Sequence, residues 1–214
     1  MPTRRIVLGL LAATPLAAGA SPLWRATDLV AAARRQMGVT TSYDNKYRLI
    51  AYPNGDVPIT TGVCADVVVR AARDAWGVDL QRLVHEDMTR NFPAYPHRWK
   101  LERPDSNIDH RRVPNLETYW NRQGARLWGA SSRSWGVDFH SALEPGDILT
   151  WRTFVNGGPH VAIVTRGGSW PRIIQNYGWG VHEDLLAMHW LDAAEAHYRW
   201  VPNSTGGGAQ NRTA

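Results

Sequence analysis

The stretch GVCADVVVRAARDAWG, residues 62–77, decides how this chain folds. Within it Cys64, Val67, Val68, Ala71, Ala72 and Ala75 recur at intervals of three and four, the spacing of a helix that buries one stripe. A helix beginning at Cys64 is therefore predicted, with Gly77 as its stop and Thr60, Thr61 and Gly62 supplying a cap and a sharp turn ahead of it. That places Cys64 in the first turn, where unpaired N–H groups and the positive end of the helix dipole favour a thiolate. The N–H of Cys64 itself is a candidate oxyanion donor. Cys64 is the one cysteine in 214 residues, so it makes no internal disulfide.

Working toward the N-terminus, a helix is expected from Thr27 to about Met37, stopped by Gly38, and then a tyrosine-rich, turn-bearing stretch to Thr61. Arg4 and Arg5, the apolar run from Ile6 to Ala18, and Ala18-Gly19-Ala20 have the pattern of an export signal over residues 1–20. The run is short for a bilayer, so no permanent membrane anchor is expected and the protein is placed in the periplasm or outside the cell. A lone cysteine in an oxidising compartment is an inert buried thiol, an intermolecular partner or a reactive group. The formal charge of +5 is carried mostly by scattered arginines, with no stripe that would suit nucleic acid.

Toward the C-terminus, Leu80, Leu83, Val84 and Met88 predict a second helix. An irregular stretch from Asn91 to Pro114 with four prolines follows, then a short helix over Leu116 to Arg122. Strands are expected at 125–128, 148–152, 160–165, 172–177 and 198–201, separated by turns such as Pro145-Gly146-Asp147 and Gly157-Gly158-Pro159. The tail 203–214 carries three consecutive glycines and is expected to be disordered, leaving one domain over 21–202. Helices first and antiparallel strands afterwards make an α+β fold, with the Cys64 helix packed on the sheet.

Among eight histidines His160 is the best placed base, since it opens an apolar strand. Strand alternation puts it on one face with Ala162 and Val164, with Val161 and Ile163 on the other. A group that orients the imidazole would lie on the following strand, where Gln175 and Asn176 follow Ile173 and Ile174. A protonated His160 would lower the Cys64 pKa further.

The runs LEPGDILTW (143–151), PHVAIV (159–164) and IIQN (173–176) resemble the second half of NlpC-type cell-wall peptidases. GVCADVV (62–68) takes the place of their nucleophile helix. GVCADVV, VHEDM (84–88) and NIDHRRVPNL (107–116) together resemble the domain of unknown function 1287 family of bacterial envelope proteins, over nearly all of the chain after the leader. The resemblance implies a papain-like α+β fold and amide-bond hydrolysis, with peptidoglycan stem peptides as the substrate class. It implies Cys64 as nucleophile, His160 as general base and Gln175 as the orienting residue. No cofactor is expected, and the protein is expected to act as a monomer. Gln175 departs from the pattern, which more often has histidine there. Ala65-Asp66 stands where Ser-Gly is usual.

The loop from Asp105 to Asn115 offers both charge signs, and arginine forks suit the carboxylates of stem peptides. Asp109, His110 and Arg111, with Asp66 and Asn176 beside the triad, form the expected substrate-binding set. The competing reading is that these charges bond one another and pin the loop. A metal hydrolase built on His85, Asp87, Asp109 and His110 lacks H-E-x-x-H or comparable ligand spacing. A non-catalytic wall- or partner-binding domain on the same fold is the alternative to the enzyme.

Overall fold

The computed structural model describes residues 24–132 and 135–202; the expected leader 1–20 and tail 203–214 lie outside them. The first element is α1 (Ala26–Arg34), followed by short parallel strands β1 (Ser42–Tyr43) and β2 (Thr61–Gly62). Next come α2 (Cys64–Trp76), α3 (Leu80–Asn91) and α4 (Val113–Arg122), with three short 3-10 turns between α3 and α4. Six strands complete the fold: β3 (Arg126–Gly129), β4 (Ile148–Arg152), β5 (Pro159–Arg166), β6 (Arg172–Asn176), β7 (Val181–Leu185) and β8 (Ala193–Tyr198). They form one sheet in the order β3-β8-β4-β5-β6-β7, with every neighbouring pair antiparallel. This is an α+β fold.

The helix read from residues 62–77 is present from Cys64 to Trp76, and Gly77 ends it in the left-handed region at φ 65°. That conformation carries little penalty for glycine and a steric one for other residues. The expected cap is not used. Val63 occupies the N-cap position and has no side-chain acceptor, so Asp66 at the third helical position takes the Val63 N–H instead, at 2.6 Å. Burial also extends beyond the predicted stripe, since every residue from Cys64 to Ala72 is buried, including Asp66 and Arg70. Arg70 finds its partners in the preceding loop, forking onto Asp56 at 2.9 Å and donating to the carbonyls of Val57 and Thr61. The loop that leads into Cys64 is thereby bound to the helix that Cys64 begins.

Each face of the sheet has its own core. One is packed under the helices by Val67, Val68, Leu116 and Trp120 with Ile148, Val161, Ile163 and Ile174. On the other, Leu149, Trp151, Ala162, Val164 and Ile173 are covered by Phe139 and Leu186. Two strands depart from expectation. The last strand is Ala193–Tyr198 and not 198–201, and β7 was not predicted at all. In β7 only Val181 is buried, the pattern of an edge strand whose composition carries no apolar alternation.

The Pro145-Gly146-Asp147 turn owes its rigidity to Asp147. Its carboxylate accepts from His197 Nε2 at 2.8 Å, from Arg199 Nε at 2.8 Å and from the Glu144 N–H at 2.7 Å. Burial opposes the charge, but these three donors hold the Asp147 carboxyl below the usual range. Replacing Asp147 by alanine leaves the buried His197 Nε2 without its acceptor, while the partly exposed Arg199 keeps Glu144, and is expected to cost about 1–3 kcal/mol. Urea unfolding of Asp147→Ala measures this; a loss no larger than that of an exposed substitution would show that the turn does not depend on the carboxylate.

Candidate active site

Cys64 reaches the sheet from the helix side. Its thiol lies against the backbone N–H groups of Val161 and Ala65 and against the Tyr43 hydroxyl. The Val161 amide is free for this contact because the β5–β6 pairing runs only from Arg166 and Arg172 to Ile163 and Ile174, so the strands part beyond it. His160 is one peptide bond away. Its side chain lies on the face it shares with Ala162 and Val164, opposite Trp151 in the β4–β5 register. The ring stands 4.8 Å from those of Trp151 and Tyr177, centroid to centroid, and its Nε2 is 2.9 Å from Gln175 Oε1. Cys64 and His160 thus approach the opening between β5 and β6 from its two sides. Among the described residues no side-chain hydrogen bond joins the thiol to the imidazole.

Burial governs the ionisation of both groups. Cys64 is 3% exposed and its thiol is pushed up to about 11, with the Val161 and Ala65 amides pulling the other way. His160 is 4% exposed and its imidazolium is pushed down to about 3, opposed by the Gln175 bond. The sequence reading expected a thiolate stabilised by the helix terminus and by an imidazolium. At neutral pH the structure holds a neutral thiol and a neutral imidazole instead, because desolvation outweighs the helix terminus. Asp66, on the same helical turn, adds a negative charge that disfavours the thiolate further.

Gln175 is fully buried and belongs to a longer polar chain. Its Nε2 donates to Asp184 Oδ2 at 2.8 Å and meets His189 Nε2 at 2.8 Å, and His189 Nδ1 meets Asp192 Oδ2 at 3.1 Å. Asp184, His189 and Asp192 were not found by sequence reasoning. They follow the unpredicted β7 or lie on it, and only a strand assignment there could have turned them toward Gln175.

The residues expected to bind substrate are committed to the interior. Arg111 forks onto Asp66 with both bonds at 2.9 Å, and the two side chains are 2% and 4% exposed. Arg111 also donates to the Asp44 carbonyl. Asp109 is buried, pairs with Arg112 at 3.0 Å and accepts the Asp105 N–H. His110 is buried and pushed down to about 4 by that burial. Asn176 donates to the carbonyls of Ser42 and Gly62 at 3.1 and 3.0 Å, and its oxygen accepts from Gly178 and Gly180. All five residues expected to bind substrate are buried; Asp66, Asp109, Arg111 and Asn176 spend their hydrogen bonds within the fold, while His110 Nδ1 has no side-chain or backbone partner among the described residues. Buried polar groups require partners, and each of the two charged loop residues, like Asp66 and Asn176, finds its own within the fold. What they build is the seat of Cys64: Asp66 and Arg111 hold the helix start, and Asn176 holds the end of β6 to Gly62.

Of the residues behind the metal reading, Asp87 is taken by Arg122 and the Tyr95 hydroxyl. Among the described residues no three His, Cys, Asp or Glu side chains gather as a metal site, and no helix is long and apolar enough to cross a membrane.

The fold presents a buried thiol at a helix start on one side of the sheet and, on the other, a strand histidine hydrogen-bonded to a neighbouring amide. The chain belongs to the family described as "Domain of unknown function (DUF1287)", whose model matches residues 30–200. It is similar to the "Uncharacterized protein YijF" of Escherichia coli (strain K12), at 46% identity over 171 residues that cover 78% of this chain and 78% of that one.

Because the thiol is held protonated, alkylation of Cys64 by iodoacetamide in the folded protein should be slow at neutral pH. It should rise as the pH approaches the thiol value of about 11, and His160→Ala should leave this profile in place. A fast, pH-independent rate below pH of about 8 that His160→Ala abolishes would demonstrate the thiolate–imidazolium pair the structure lacks.

Proposed function

We propose that the protein is an exported cysteine hydrolase of the papain-like, NlpC-type arrangement, cleaving an amide bond in peptidoglycan stem peptides and acting as a monomer. The observation that carries the reading is the meeting of Cys64 with the Val161 amide, next to His160 whose Nε2 is bonded to Gln175. The leader pattern over residues 1–20 supports export.

In this reading the pair is neutral at rest, and the nucleophile forms as it reacts. Sγ attacks the substrate carbonyl while its proton passes to His160 across the opening between β5 and β6. The C–N bond then breaks, the amine leaves with that proton, and water hydrolyses the thioester. Gln175 holds the ring for both transfers. The Ala65 and Val161 amides are the backbone donors nearest the reacting atom, and so the candidates for stabilising the tetrahedral oxygen. Tyr43, 39% exposed and against the thiol, is the side chain a substrate has to displace.

The burial of the thiol favours a second reading, a wall- or partner-binding domain that keeps the fold without the chemistry. Incubation of the protein lacking residues 1–20 with purified peptidoglycan fragments separates the two. Hydrolysis predicts new peptide termini by mass spectrometry, abolished by Cys64→Ala and by His160→Ala in variants that remain folded. Co-sedimentation with cell wall at native affinity, with no new termini from the unaltered protein, would replace the hydrolase by the binding domain.

A further inference from the structure

The amide of Gln175 can stand in either of two orientations, and the orientation decides which ring nitrogen of a neutral His160 carries the proton. A glutamine side chain offers an acceptor oxygen at one end and two N–H donors at the other, and its orientation is set by what surrounds it. Gln175 is wholly buried, so its partners decide the matter.

Two neighbours vote the same way. The Asp184 carboxylate can only accept, and its Oδ2 is 2.8 Å from one end of the amide, which must be the NH2 group. Asp192 makes the second vote through His189. Its Oδ2 takes the proton on His189 Nδ1 at 3.1 Å, so the Nε2 of a neutral His189 carries a lone pair, 2.8 Å from the same NH2 group. The two hydrogens of the amide thus have an acceptor each. Trp151 and Tyr177 pack against His189, with ring centroids at 5.2 and 5.0 Å, and hold it in place.

With the NH2 end committed, Oε1 faces His160 Nε2 at 2.9 Å. Only a protonated Nε2 can donate there, and a neutral imidazole has one N–H. We infer that Asp184 and the His189–Asp192 pair are positioning residues that fix the Gln175 amide, and through it hold His160 in the tautomer whose Nδ1 carries the lone pair. With the amide reversed, its NH2 group would face Nε2 and move the His160 proton to Nδ1; in the hydrolase reading, where Nδ1 serves the thiol, that removes the base. The catalytic value of this device rests on the hydrolase reading; its geometry does not. It also accounts for a neutral glutamine at a position where the resemblance expects histidine. The two carboxylates that fix the network stand behind the amide, out of direct contact with the imidazole.

Nitrogen-15 NMR of the histidine rings in the full chain reads the tautomer without any substrate. The unaltered protein should show His160 with its proton on Nε2 alone. Asp184→Ala by itself should keep that state, because His189 still accepts from the amide. Asp184→Ala combined with His189→Phe, which retains an aromatic ring against Trp151 and Tyr177, leaves the NH2 group with neither acceptor. It should then turn toward His160 Nε2, and a second signal set with the proton on Nδ1 should appear. Either His160 protonated on Nδ1 in the unaltered protein, or a folded double variant retaining the Nε2 proton alone, would overturn the inference. If the double variant does not fold, the tautomer in the unaltered protein and in Asp184→Ala decides the question. A tautomer that shifts as expected, in a protein whose Cys64→Ala variant digests wall fragments normally, would retain the positioning network and remove Cys64 as the nucleophile.

Discussion

The carboxylate of Asp66 joins the start of α2 to a loop that no continuous element connects to it. It takes the N–H of Val63 and so starts α2, and it receives both arms of Arg111 from the loop that precedes α4. Space around it is tight: a methyl group on Gly62 would come within 3.1 Å of its Oδ2 and 3.2 Å of Arg70. Breaking a buried pair of this kind strands the remaining charge and costs about 3–5 kcal/mol, far more than an exposed ion pair contributes. The position of Cys64 follows from this anchor. Its helix begins where Asp66 fastens it, and the residues ahead of it are fastened again by Asn176 on β6 and by Arg70.

The same enclosure sets the chemistry. A helix terminus contributes a fraction of a charge, whereas removal from water acts on the whole of it, and at Cys64 the second effect prevails. His160 shares that environment, packed between Trp151 and Tyr177. In such surroundings a neutral Gln175 suits a neutral ring, while the acidic groups of the network sit one residue further out, partnered by His182, His189 and Tyr177. The site holds one hydrogen-bond direction in the absence of solvent; in the proposed hydrolase, charge separation is left to the moment of reaction.

Much of the frame was legible in the chain. The spacing from Cys64 to Ala75 marked α2, and the apolar runs bounded by Pro145-Gly146-Asp147 and Gly157-Gly158-Pro159 marked β4 and β5 within a residue or two. Alternation also placed His160 with Ala162 and Val164, and Val161 with Ile163, on the faces they occupy. The edge strand Val181–Leu185 was hidden because one side of an edge strand needs no apolar partner. Ala193–Tyr198 was hidden because its small residues carry no alternation. With β7 unread, the partners of Gln175 were out of reach. The charged loop failed for a different reason. Charge in a sequence signals exposure by default, and nothing in NIDHRRVPNL shows that Arg111 would find Asp66, 45 residues earlier, inside the fold.

The account stands on Cys64 being the atom that attacks. Acid quenching during incubation with stem-peptide fragments, followed by mass spectrometry of the intact protein and its digest, looks for the covalent species directly. The account predicts a transient acyl group on Cys64, of the mass of the fragment less the departing amine, that is absent from Cys64→Ala. Turnover of the fragments with Cys64 unmodified throughout, and sustained by Cys64→Ala, would contradict it.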